Sequence, residues 1–372
     1  MRYYFIYSAG GGAGDWNGVK RVWNDYMPTD IKSHILLKFG DVFLNHAAPT
    51  TPCRPSRWKN ITNLRQWLFE ATQDNYVLNN TDILLDSGSA KLVNFIAHNN
   101  PNISNENLIN EFDNIINEYK IIEKYIAIIQ NSQINGAVTF DVPNPFKIRS
   151  QNGNARLNIL TQNDKQRLIK LSAEYSNRIF HALNNGNNRL YTIINGEWDI
   201  REINLFLSSL DYTPKNIAIG GLSSDNDATF KQNVNTLEQA QINYEHIHFL
   251  GCGGLKKVAI LRETAFNNEN TSVDCSTPIN RSIDGNISGT AQSCYYSYQE
   301  RELIRIKPET REQILCLHAS AENPLFDLAQ MTNIIDTVLK HQNHQSSEET
   351  YNGRAKLLIH NSDVYKRFVN KS

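Results

Sequence analysis

Short apolar runs recur along the chain, and several end in one acidic or amide side chain: Ile83-Leu84-Leu85 before Asp86, Val138-Thr139-Phe140 before Asp141, Tyr191-Thr192-Ile193-Ile194 before Asn195, and Val273 before Asp274. A short apolar run bounded by a turn signal reads as a buried strand, and a polar residue at its carboxyl end reads as a group delivered to a site. The pattern predicts strands over 3–8, 34–39, 82–85, 137–140, 190–194, 217–219, 247–250 and 271–273. Between most of them lie helical spacings, such as Leu108, Phe112, Ile115 and Ile116 in a helix over 107–129, and Leu168, Leu171, Tyr175 and Ile179 in one over 164–183. Alternating strands and helices mean a parallel sheet. An open doubly wound sheet gathers its chemistry at one switch point, whereas here polar residues follow many strands. The expected fold class is therefore α/β, a (β/α)8 barrel of the TIM type forming one domain over 1–372. A last amphipathic helix over 325–339 precedes a polar stretch, 341–353, expected to be an exposed loop.

Composition narrows the partners. The chain has 372 residues, 40% of them hydrophobic, enough for one large core. A net charge of -1 supplies no global field toward nucleic acid, so any polyanion contact has to come from local basic patches. Five cysteines, an odd number, read as thiols in a reducing compartment, and the expected location is cytoplasmic. The apolar run that opens the chain is too short for a signal peptide and reads as a first strand, and no run approaches the roughly 20 residues of a membrane span.

The candidate chemistry follows from the strand ends. A carboxylate leaving a buried strand, as at Asp86 or Asp141, has to find a partner or change its protonation, although an Asp in Asp86-Ser87-Gly88 can also cap its own turn. Asn195-Gly196 alone reads as a turn. Gly220-Gly221-Leu222 offers bare backbone at a strand end, suited to a planar ligand or to a tight turn. Asp274 is a candidate nucleophile at a sugar carbon, or a structural carboxylate. The glycines over 10–14 lack the spacing of a nucleotide-binding loop.

Taken in order, the segments LLDSGSAKL, VTFDVPNP, IINGEWD, AIGGLSSD, HFLGCGG and VDCSTPINRSIDG resemble the tRNA-guanine transglycosylase superfamily, and within it the phage-type DNA 7-deazaguanine transglycosylase branch. The resemblance spans about 82–285 and extends weakly to the helix after His318. It implies a (β/α)8 barrel. It also implies a double displacement in which Asp274 is the nucleophile, Asp86 handles base protonation within its Asp86-Ser87-Gly88 motif, and Asp141 grips the guanine edge. Asn195 stands where the family usually has Gln, and the backbone at Gly221 and Leu222 would meet the base. The implied partners are DNA, with tRNA as the alternative acceptor, and a 7-deazaguanine base such as 7-cyano-7-deazaguanine (preQ0), with no membrane. The implied setting is protection of a phage or mobile-element genome.

Backbone contacts are expected from two basic patches, one of Arg54, Arg57, Trp58, Lys59 and Arg65, the other of Lys147, Arg149, Arg156, Lys165, Arg167 and Lys170, together with Arg281 near the nucleophile. The tRNA enzymes carry a zinc site of three cysteines and a histidine. In this chain only Cys294, Cys316 and His318 stand in that region, so 286–320 is expected to be a degenerate zinc subdomain, with no cofactor and these three as weak metal candidates. Two further classes stay open: a non-catalytic base-binding subunit, which has no need of a nucleophile, and a glycoside hydrolase using Asp86 and Asp274 as its carboxylate pair.

Overall fold

In a computed structural model the eight expected strands close into one parallel barrel in chain order. They are β1 (Arg2–Ile6), β2 (His34–Lys38), β3 (Asp82–Asp86), β4 (Gly136–Val138), β5 (Arg189–Asn195), β6 (Asn216–Gly220), β7 (His246–Phe249) and β8 (Thr271–Asp274), with β8 pairing back onto β1. The structure describes residues 1–7, 13–40, 61–100, 102–144, 160–183, 189–283, 293–342 and 347–370. Helices lie against the outside of the barrel, so the strands are covered on both faces and read as continuous apolar runs rather than alternating ones. Each buried Ile or Leu contributes about 1.5–3 kcal/mol.

Register carries the functional strand ends to one rim. Lys38 pairs with Asp86, Asn195 with Gly220, and Tyr4 with Asp274. Tyr125, on the Ile121–Ser132 helix, donates its hydroxyl to Leu85 O at 3.1 Å and Val138 O at 2.6 Å. It thereby fixes the ends of β3 and β4 just before Asp86 and Asp141. The opposite end of the barrel is closed by charge: Asp82, at the start of β3, accepts from Tyr4 Oη at 3.0 Å and Arg189 Nη2 at 2.8 Å.

Arg65 corrects an expectation. It belongs to no nucleic-acid patch, because its guanidinium is buried and donates to Gln133 O, Val77 O, Leu78 O, Thr81 O and Asn135 Oδ1. A planar fork of donors satisfies several backbone carbonyls at once, and here it ties the segments entering β3 and β4. Arg54, Arg57, Trp58, Lys59, Lys147, Arg149 and Arg156 lie outside the described residues.

Two helical expectations also change. The helix over 107–129 is two helices, Asn105–Glu118 and Ile121–Ser132, broken where Lys120 takes a left-handed conformation with φ 50°. No Gly or Pro marks the break, and the apolar stripe continues across it because both helices bury their faces in the same core. Of the stretch over 341–353, residues 343–346 lie outside the described residues, and most of the rest is helix rather than loop. His341 ends the Leu328–Gln342 helix, and Gly353 lies inside a further helix, Glu348–Asn370, that is buried along most of its length. Several of its buried polar side chains have partners: Asn361 bonds Ser282 Oγ, Cys294 O and Tyr296 N, all at 2.9 Å, and Arg354 Nε donates to Ser282 O at 2.8 Å. A polar stretch that is buried because it is hydrogen-bonded reads from sequence as solvent-facing. The helix crosses closely, since a Cβ at Gly18 would stand 2.5 Å from Tyr351 O.

Within 286–320 the described residues form a small antiparallel pair, β9 (Cys294–Tyr296) with β10 (Leu303–Arg305), followed by the Arg311–Ala319 helix. Among the described residues no helix is long and apolar enough to cross a membrane.

Candidate active site

Asp274 closes β8 and is almost fully buried, 2% exposed. Its Oδ1 accepts from the backbone N–H of Gly251 at 2.7 Å and lies 3.1 Å from His248 Nε2. Oδ2 takes no hydrogen bond from the described residues. The loop after β7 wraps this residue. Gly251 has φ +69°, and Gly253 N–H donates to Asp274 O at 2.7 Å, where a Cβ on Gly253 would stand only 2.9 Å from that oxygen. Glycines are needed here for close approach and left-handed backbone.

His248 carries no flag in the sequence, although it opens the HFLGCGG segment. It points into the barrel from β7, is solvent-free, and meets Ser272 Oγ with Nδ1 at 2.8 Å. A polar residue inside an apolar strand, one position before its end, is the signal that could have found it.

Asp86 ends β3 half-buried. One oxygen accepts from Gly88 N–H at 3.2 Å, so the residue does cap its own turn. Burial pushes its carboxyl above the ordinary carboxylate range. Lys38 and the Gly88 N–H oppose the rise, and the charge of Asp274 adds to it. Gly88 takes φ +72° and approaches Gly40 so closely that a Cβ would stand 2.3 Å from Gly40 N. Ser87 is buried, its Oγ 3.5 Å from Ser89 Oγ.

Asp141 lies three residues past β4 and is 4% exposed. Ser89 Oγ donates to its Oδ1 at 2.5 Å. Burial raises its carboxyl to about 6; the Ser89 hydrogen bond pulls the other way and the charge of Asp86 adds to the rise. Its Oδ2 lies 4.0 Å from where a Cβ on Gly220 would stand, so the bare end of β6 faces this carboxylate.

Asn195, at the end of β5, is buried and uses Oδ1 to accept from Glu197 N–H at 3.0 Å, the turn that Asn-Gly announces. Its amide NH2 donates to none of the described residues. Gly221 has φ +83°, and a Cβ there would stand 2.7 Å from Asn195 Oδ1. Leu222 is core: its side chain is fully buried against Gly196, and its carbonyl accepts from Lys257 Nζ at 2.5 Å, with Ser223 O at 2.7 Å from the same ammonium. Lys257 therefore pins the turn that presents Gly221.

Asp86, Asp141, Asn195, Gly221 and Asp274 thus stand at the carboxyl ends of five of the eight strands, on the face where barrels of this kind hold their chemistry. The charges of Asp86 and Asp274, and of Asp86 and Asp141, act on one another across the mouth.

Other expected residues do not join them. Arg281 is exposed just past the Thr277–Asn280 helix, on the chain that leaves Asp274. Lys165 pairs with Glu202 at 2.8 Å, and Arg167 donates to Asn110. Lys170 lines a shallow surface hollow with Arg167 and Glu174. Cys294 is buried in β9, Cys316 is exposed, and both ring nitrogens of His318 are engaged, Nδ1 with Tyr295 Oη at 3.1 Å and Nε2 with Phe326 O at 2.7 Å. Among the described residues no three His, Cys, Asp or Glu side chains gather as a metal-ligand set.

No protein-family model matches the chain, and no curated protein matches it. Solved structures similar to it include tryptophan synthase subunit alpha from Legionella pneumophila str. Paris, at TM-score 0.39 and 9% identity over 76% of this chain and 84% of that one. Another is a candidate sugar phosphate isomerase/epimerase from Anabaena variabilis ATCC 29413, at TM-score 0.39 and 11% identity over 74% of this chain and 84% of that one. At such identity nothing about substrate passes from one chain to another.

Proposed function

We propose that this chain is an enzyme, a DNA-guanine transglycosylase that exchanges guanine in DNA for a 7-deazaguanine such as 7-cyano-7-deazaguanine through a glycosyl ester on Asp274. The observation that carries this reading is the set of three carboxylates at one barrel mouth, each in a different environment. Asp274 has one oxygen held by donors and the other without one from the described residues. Asp86 is raised by burial above the ordinary carboxylate range, and Asp141 is raised to about 6 beside a serine donor.

In the first half-reaction Oδ2 of Asp274 forms a bond to C1′ as the bond from C1′ to the base nitrogen breaks. The electron pair leaves with guanine, and a proton from Asp86 reaches the departing base. In the second, the ring nitrogen of the 7-deazaguanine bonds to C1′ and gives its proton to the Asp86 carboxylate, the ester bond breaks, and Asp274 leaves as a carboxylate. Asp141, ionised above about pH 6, accepts from the two adjacent N–H donors of the guanine edge. Gly220 and Gly221 present backbone without side chains beside Asp141 and Asn195, which suits close approach by a flat base. A target inside a duplex has to be flipped out or presented single-stranded.

DNA is preferred over tRNA on the sequence, where Ser87-Gly88-Ser89-Ala90-Lys91 replaces the tRNA-type segment and the zinc cysteines are reduced. The test is incorporation of labelled 7-cyano-7-deazaguanine into matched DNA and tRNA. Label in DNA, lost in Asp274→Ala, is the expected result. Label in tRNA alone moves the chain to the tRNA reaction, and label in neither overturns the proposal.

A further inference from the structure

We infer that His248, held by Ser272, is the positioning residue that selects which oxygen of Asp274 attacks and that speeds the departure of Asp274 from the glycosyl ester. The inference rests on the transglycosylase reading and names a residue which that reading leaves without a role.

The hydrogen-bond inventory leaves little freedom. A carboxylate oxygen only accepts, so the contact between His248 Nε2 and Asp274 Oδ1 at 3.1 Å requires the proton on Nε2. The Ser272 hydroxyl has one proton and two acceptors in reach, His248 Nδ1 at 2.8 Å and Ile247 O at 3.3 Å. The shorter contact directs that proton to Nδ1, which fixes the neutral tautomer with hydrogen on Nε2. If the hydroxyl turns to Ile247 O instead, Nδ1 is also protonated, and Nε2 still donates to Asp274. In both arrangements Nε2–H faces the carboxylate. The ring is held on its other side by Tyr4, edge to face at 5.4 Å, and is fully buried.

With the Gly251 N–H at 2.7 Å, Oδ1 holds two donors while Oδ2 holds none from the described residues. Two donors on one oxygen fix the carboxylate plane and leave Oδ2 as the oxygen that bonds to C1′. Oδ1 then becomes the carbonyl oxygen of the ester. Charge leaves this oxygen when the ester forms and returns when the ester breaks, so both donors favour the carboxylate over the ester. They restrain the attack slightly and assist the departure. Removing the His248 donor is therefore expected to slow the second half-reaction more than the first.

The experiment compares wild type, His248→Phe, His248→Gln and Ser272→Ala on a guanine-containing DNA strand, reading turnover with 7-cyano-7-deazaguanine and the steady-state fraction of strand bound covalently to protein on a denaturing gel. Phe keeps a ring without a donor, and Gln restores an N–H near the position of Nε2. The expected result is a fall in turnover of at least tenfold in His248→Phe with a rise in the covalent fraction, and recovery of both toward wild type in His248→Gln. Equal loss of turnover and covalent fraction in Phe and Gln alike would mean a structural role only and overturn the inference, as would wild-type behaviour in His248→Phe. NMR of the wild type with 15N-labelled histidine supplies a reading that needs neither turnover nor a folded variant. A neutral or charged ring carrying hydrogen on Nε2 supports the pairing, and a ring protonated on Nδ1 alone overturns it. Absence of exchange in the wild type on DNA and tRNA would sink the transglycosylase proposal, and with it the role of His248 in turnover.

Discussion

Ser89 and Asp141 join two strand ends through one hydrogen bond: Ser89 Oγ, in the first turn of the helix after β3, donates to Asp141 Oδ1, past β4, at 2.5 Å. Both side chains are buried, so the bond acts in a medium where a charged acceptor depends on its donor. Hydrogen bonds to charged groups contribute about 1.5–3 kcal/mol. Ser89→Ala removes the largest influence lowering the Asp141 carboxyl, which then rises above its present value near 6. The expected outcome is weaker binding of 7-cyano-7-deazaguanine at neutral pH, with the acid limb of its affinity profile displaced to higher pH. Calorimetric titration across that range checks it, and an unmoved limb would count against Asp141 as the group that grips the base.

The same carboxyl governs a stability effect of definite sign. Its value in the folded chain, about 6, stands above the ordinary 3.8, so folding favours the protonated form. That contribution is fully present below the unfolded value and is lost as pH rises from about 3.8 to about 6. Above that window the buried charge costs about 3 kcal/mol, at 1.36 kcal/mol per pH unit. Asp141→Asn is therefore expected to raise the midpoint of thermal unfolding at neutral pH, to lose that advantage in acid, and to abolish base exchange. Melting curves of both proteins at the two ends of the window decide it.

At Gly221 the backbone itself is at stake. With φ +83° and Asn195 Oδ1 2.7 Å from the place a Cβ would take, Gly221→Ala meets strain of about 1–2 kcal/mol and pushes Asn195 aside. Gly254→Ala is the control, because a Cβ there meets nothing within 4 Å. Loss of base affinity in the first and none in the second is the expected pair of results, read by the same titration.

Arg65 separates stability from nucleic-acid binding. Its five acceptors include four backbone carbonyls, and Arg65→Ala strands them at the closed end of the barrel. The expected loss is on the order of 3 kcal/mol or more, typical of breaking a buried network. DNA affinity of the fraction that remains folded should be unchanged. Denaturant unfolding and a DNA titration of the same preparation check both halves.

The barrel was legible in the sequence because a parallel sheet covered on both faces writes each strand as an uninterrupted apolar run, and all eight runs became strands within a few residues of the expected bounds. The strand-end residues Asp86, Asn195 and Asp274 were legible for the same reason, since a polar side chain after such a run has one place to go. What escaped was polar and interior. His248 sits within a strand, where only the fold shows that its neighbours are Ser272 and Asp274. Arg65 and the Glu348–Asn370 helix are polar by composition and buried by hydrogen bonding, which composition cannot distinguish from solvation. The break at Lys120 escaped because a left-handed lysine leaves no residue-type signal.

The central claim is that Asp274 carries the sugar. Its most direct test is mass spectrometry of the protein quenched during exchange on a guanine-containing DNA strand, with Asp274→Asn alongside. The expected result is a deoxyribosyl group on the peptide containing Asp274, absent in the variant together with all base exchange. A sugar on another residue, or exchange that persists in Asp274→Asn, would contradict it.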